Sequence, residues 1–100
     1  MDKLTGLLGI AVRAGQAVFG EDSCMKALRN GQCGILLMDA AISDTVREKY
    51  TGVCERAGAK AVILPAGAIE TATGHSGMAV TIRKGSLGNR LLEMIENEDQ

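Results

Sequence analysis

The sequence predicts an α/β fold, a three-layer α-β-α sandwich built on a four-stranded mixed sheet with about five helices. Three observations carry that prediction. Stretches with apolar residues at helical spacing alternate with short continuous apolar runs. Gly, Asn and Asp punctuate the junctions between them. No internal repeat or linker divides the chain, so residues 1–100 read as one domain.

The elements follow in order. Leu4, Leu7, Leu8 and Val12 recur at helical spacing, with Asp2 as a cap and Gly15 where a left-handed C-terminal cap belongs, which predicts a helix over about 2–14. Ala17 to Phe19 is a short strand ending at Gly20. A second helix follows within two or three residues, with Cys24, Met25 and Leu28 inward and Asn30-Gly31 as its stop. Gly34 to Met38 is an apolar run suited to a strand buried on both faces. Ser43 or Asp44 caps a third helix to Ala57, closed by Gly58, with Val46, Tyr50, Val53 and Cys54 as its stripe. Ala61 to Leu64 reads as another buried strand. Pro65 stands near the start of a short helix through Thr73, closed by Gly74. Met78 to Ile82 is the fourth strand. Ser86 caps a last helix carrying Leu87, Leu91, Met94 and Ile95.

Composition narrows the function classes. Apolar residues make up 46% of the 100 residues and charged residues 23%, the balance of an ordinary globular protein. Trp is absent, and Phe19 and Tyr50 are the only aromatics, so no platform for stacking single-stranded bases is expected. The formal net charge is -1, but its distribution is uneven. Four of the twelve acids, Glu93, Glu96, Glu98 and Asp99, lie in the last ten residues, which hold no Lys or Arg. The rest carries eleven basic and eight acidic residues, so the body is mildly basic and the C-terminus reads as a solvated acidic helix end. Cys24, Cys33 and Cys54 are odd in number and lack C-x-x-C spacing, which argues for reduced thiols in a cytoplasmic protein and against a disulfide framework or zinc site. No segment has a signal-peptide or membrane-spanning pattern.

The best candidate site is Phe19-Gly20-Glu21-Asp22-Ser23-Cys24-Met25-Lys26, where a strand ends at glycine and a helix begins. Free backbone N–H groups at such a helix start attract phosphates or base acceptors. Asp22 and Ser23 are expected either to cap the helix or to accept hydrogen bonds from base edges. Lys26 lies one turn in, on a face shared with Arg29 or Asn30. Gly74-His75-Ser76-Gly77 is a flexible loop before the last strand. His75 is the only histidine, with no companion for a metal site and no nucleophile that announces itself beside it. No G-x-G-x-x-G or G-x-x-x-x-G-K-[ST] loop is present, and no cofactor is expected. Arg83-Lys84-Gly85-Ser86 is a basic turn that serves as a polar connector or as a secondary phosphate contact.

Leu7-Leu8-Gly-Ile-Ala-Val-Arg-Ala-Gly15, followed by Gly20-Glu-Asp-x-x-x-Lys26-Ala-Leu-Arg-Asn-Gly31, resembles the YlxQ-like bacterial ribosomal proteins. These belong to the superfamily of kink-turn-binding ribosomal proteins, the L-seven-Ae and L-thirty-e class. The resemblance extends over nearly the whole chain, through Leu36 to Ala40, Cys54-Glu55-Arg56 and Ala72-Thr73-Gly74. It implies an α-β-α sandwich that binds structured RNA, is ribosome-associated and is not an enzyme. In the family a G-x-N-E-x-x-K segment reads the sheared G·A pairs of a kink-turn. Gly20 and Lys26 match its glycine and lysine, whereas Asp22 replaces the asparagine and Ser23 the glutamate. Asp22 cannot donate as an amide does, and Ser23 lacks the carboxylate acceptor. The resemblance also implies a second contact at Gly74 through Met78, including His75 and Gly77, and a looser third at Asp39 to Ile42. The expected RNA-binding residues are thus Gly20, Glu21, Asp22, Ser23 and Lys26, aided by Arg13, Arg29, Gly74, His75 and Gly77. The rival expectation is a protein-interaction or regulatory module of the same fold with little RNA affinity, favoured by the near-neutral charge and the residues at 22 and 23.

Overall fold

The computed structural model describes residues 3–98. The elements are α1 (Lys3–Arg13), β1 (Ala17–Phe19), α2 (Glu21–Arg29), β2 (Cys33–Asp39), α3 (Asp44–Ala57), β3 (Lys60–Leu64), α4 (Ala68–Thr73), β4 (Ala79–Arg83) and α5 (Ser86–Glu98). All nine predicted elements form. The expected Asp2 cap and Asp99 lie outside the described residues.

The four strands make one mixed sheet in the order β1-β4-β2-β3. β4 is antiparallel to both neighbours, pairing Phe19 with Val80 and Leu37 with Val80, while β2 and β3 run parallel with Leu37 opposite Val62. Successive side chains on a strand point to opposite faces. One face carries Ile35, Leu37, Val80 and Ile82, which pack with Leu4, Leu7, Leu8 and Ala11 of α1, Ile69 of α4, and Leu91 and Ile95 of α5. The other carries Leu36, Met38 and Ala79, joined by Cys33 across the register shift between Cys33 and Ile35, and they pack with Cys24, Met25 and Leu28 of α2 and Tyr50, Val53 and Cys54 of α3. Two aliphatic cores therefore sandwich β2 and β4, and the continuous run Cys33 to Asp39 is buried at every position but Gly34.

Several details depart from expectation. Ala11, rather than Val12, joins Leu4, Leu7 and Leu8 in the buried stripe of α1, because Val12 is rotated to its edge. β3 is an outer strand, with Lys60 and Ile63 exposed, because it has a neighbour on one side only. α4 begins at Ala68, three residues after Pro65. Between them a turn closes through Ala68 N–H donating to the Pro65 carbonyl at 3.0 Å, with Gly67 at φ 84°. Ser86 is already helical, and Asn89 N–H donates to the Gly85 carbonyl at 2.9 Å to close the first turn of α5. The Ser43 cap does form, its Oγ accepting from Val46 N–H at 3.3 Å.

Candidate nucleic-acid interface

The sheet's directions decide which turns meet. β1, β2 and β3 end, and β4 begins, at the same edge of the sandwich. Gly20 follows β1, Ala40 to Ser43 follow β2, and the segment from Gly74 to Met78 precedes β4. These three stretches surround one cleft of about 300 Å³, lined among others by Gly20, Glu21, Ile42, Gly77 and Met78. The three segments that the sequence singled out separately thus form one surface.

Gly20 makes the sharp entry into α2. Its φ of 92° and ψ of 141° lie where side chains other than hydrogen are strained. Its carbonyl accepts from Cys24 N–H at 2.9 Å, so the helix is engaged from Glu21 onward. The expected side-chain cap is absent: Asp22 and Ser23 stand inside the first turn, and no side chain accepts from the helix start. The strand-to-helix turn is one residue long, which leaves Gly20 in the capping position. The first N–H groups of α2 consequently have no intrahelical acceptor and lie at the positive end of the helix dipole. The Glu21 carboxylate accepts instead from Lys49 Nζ of α3 at 3.0 Å.

The neighbouring turns are fixed by a buried carboxylate. Asp39, 5% exposed at the end of β2, accepts from Ala41 N–H through Oδ1 at 2.8 Å and from Gly67 N–H through Oδ2 at 2.9 Å. The backbone hydrogen bond from Ala41, then that from Gly67, hold its pKa below the ordinary carboxylate value despite burial. Asp39 therefore clamps the β2–α3 turn to the β3–α4 turn.

The two aromatics lie on opposite sides of the sheet, Phe19 against the core under α1, α4 and α5 and Tyr50 in the core under α2 and α3. Tyr50 is buried beneath the cleft, and burial first of all raises its hydroxyl pKa. Half-buried Phe19 stacks on exposed His75, with ring centroids 4.0 Å apart and planes 13° from parallel. The stack fastens the Gly74 to Gly77 loop to the strand end just before Gly20. Its partners are far apart in sequence, and only the pairing of Phe19 with Val80 brings them together. Ile42 falls in the looser third contact that the resemblance implies, whereas Lys49 and the cleft residue Val46 gave no sign of a site, since they read as an ordinary amphipathic helix.

The remaining expected residues divide by location. Lys26, Arg29 and Asn30 share an exposed face of α2 and line one groove with Asp22. Arg13 does not join them. It ends α1, on the opposite face of the sheet from α2, and at the end of the sandwich away from Gly20. Its guanidinium lies back along α1 near Gly9.

The thiols are poor nucleophiles. Burial raises the pKa of Cys24, pushes Cys33 up to about 12 and Cys54 up to about 11, so all three stay protonated at neutral pH. Among the described residues no group of three or more His, Cys, Asp or Glu is placed to hold a metal ion, and no helix is long and apolar enough to cross a membrane.

Comparisons with known proteins agree with this architecture. No protein-family model matches the chain, and no curated protein sequence matches it. Among solved structures, a Bacillus halodurans protein of unknown function is similar at a TM-score of 0.90 and 22% identity, over 96% of this chain and 99% of that one. A 15.5 kD RNA-binding protein of Giardia lamblia is similar at a TM-score of 0.77 and 18% identity, over 97% of this chain and 88% of that one. An archaeal translation termination factor is similar at a TM-score of 0.60 and 24% identity, over 78% of this chain and 23% of the factor. The chain thus has a fold that also occurs in an RNA-binding protein and as part of a larger translation factor.

Proposed function

We propose that this chain is a non-catalytic, cytoplasmic, ribosome-associated protein that binds structured, kink-turn-like RNA at the cleft beside Gly20. One observation carries the reading: three separate turns converge on the uncapped start of α2, with exposed Lys26 one turn further on. The cleft offers backbone donors for base or phosphate oxygens, and Lys26 in the adjoining groove offers a cation for a phosphate. The likeness to an RNA-binding protein of the same fold supports it. The test is a mobility-shift titration with kink-turn RNA at about 50 mM and about 200 mM salt. Lys26→Ala removes one charged hydrogen bond, about 1.5–3 kcal/mol, so affinity should fall by about ten- to a hundred-fold. Absence of binding by the wild-type protein at either salt refutes the kink-turn reading.

The exposed carboxylate of Asp22 favours a second reading, a protein-interaction module, since it is in no ion pair among the described residues and repels phosphate beside Lys26. Nuclease-resistant co-purification with one protein supports that module, and nuclease-sensitive association with ribosomes supports RNA binding.

A further inference from the structure

The cleft occupies one end of α2, but the cations continue to the other end. Lys26 lines a groove of about 480 Å³ with Arg29 and Asn30, and a second of about 410 Å³ with Asn30, Gln32 and Arg83. The two grooves therefore flank the same two residues, Lys26 and Asn30. Lys84 adjoins the second groove, because its N–H donates to the Gln32 carbonyl at 2.9 Å. Gly34, at the register shift in β2, lets the Arg83–Lys84 backbone come close: a Cβ at position 34 would sit 3.3 Å from the Lys84 Cα.

Lys26, Arg29, Arg83 and Lys84 are all exposed, and among the described residues none is in an ion pair. Only one acid, Asp22, lines either groove, and it lies at the cleft end. Glu21, the next acid, is engaged by Lys49. A chain of formal net charge -1 thus keeps four unneutralised cations in a row along one helix and the adjoining strand end.

We propose that Lys26, Arg29, Arg83 and Lys84 form a phosphate track that receives the backbone of the RNA helix leading away from the cleft. The inference rests on the proposed RNA-binding function and extends it from a point contact to a strand of duplex. No base edge is read along the track, so it adds affinity and orientation without sequence preference. Each phosphate engaged releases counterions, which makes the salt slope a count of contacts.

The test compares the wild-type protein with the triple variant R29Q/R83Q/K84Q on two probes: a kink-turn RNA with an extended stem, and a plain RNA duplex of about 16 base pairs. All three positions are exposed, so the variant should keep the wild-type melting curve. The track predicts that the variant binds both probes at least about tenfold more weakly at about 50 mM salt, with a log–log salt slope shallower by about 2–3. Tight kink-turn binding with affinity and slope unchanged in the variant overturns the track and leaves the cleft reading intact. Duplex binding lost in the variant, with no preference for the kink-turn, upholds the track and overturns the kink reading. Failure of the wild-type protein to bind either probe, or its binding an oligoglutamate peptide instead, overturns both.

Discussion

Replacing Gly20 by alanine isolates the contribution of one backbone conformation to both stability and binding. A Cβ at this position meets nothing within 4 Å, so the substitution introduces no collision with neighbouring groups. What remains is the local cost of holding an L-residue at φ 92° and ψ 141°, about 1–3 kcal/mol. Restricting the unfolded chain offsets about 0.4–1 kcal/mol of that. The net loss should therefore be about 1–2 kcal/mol, a large fraction of a small domain's margin of about 5–15 kcal/mol. At about 4–8 °C per kcal/mol for a domain of this size, the melting temperature should fall by about 5–15 °C. Urea unfolding followed by circular dichroism measures the loss as a lower midpoint with an unchanged slope. Any relaxation of the strain re-aims the first N–H groups of α2. Kink-turn affinity, measured well below the melting temperature, should then fall by at least about tenfold. An alanine variant as stable as wild type within about 0.3 kcal/mol would show that the α2 entry does not need this conformation, and the account of the uncapped helix start would be wrong.

Other perturbations test the same framework. Asp39 has a folded pKa below its unfolded one, so its contribution is present at neutral pH and drains away as pH falls through the depressed value; Asp39→Asn should flatten the acid limb of stability against pH in urea titrations. Gly6→Ala, with open space around the new methyl, should stabilise α1 by about 1 kcal/mol, whereas Gly88→Ala sets a Cβ 2.8 Å from the Arg83 carbonyl oxygen and should destabilise by about 1–3 kcal/mol despite the same gain in helix propensity. A thiol reagent should label none of Cys24, Cys33 and Cys54 in the native protein at neutral pH and all three in urea; rapid native labelling would contradict their burial.

Sequence periodicity was sufficient for the elements because they are strongly patterned and glycines close several of them. Gly58, for example, ends α3 at φ 72°, where a helix terminator was expected. The strand order was not legible, since nothing local says that β4 inserts between β1 and β2. Nor were the ties that build the site: Glu21 to Lys49 and Asp39 to Gly67 each span 28 residues. The capping role expected of Asp22 and Ser23 failed because the composition rule counts residue types but not the length of the turn before the helix. Arg13 was misplaced for a related reason, as its motif neighbours Gly20 in sequence while the sheet stands between α1 and α2.

The convergence of three turns on one cleft has a thermodynamic corollary. The cleft exists only when β1, β2 and β4 are assembled in register, so the unfolded chain has no version of it. An occupant would then act as a folding ligand, adding about 2.7 kcal/mol at a hundredfold excess over its Kd. For a domain of this size that increment rivals a large share of its own margin. Abundance in the cell would follow the supply of partner, with surplus copies more open to proteolysis than bound ones.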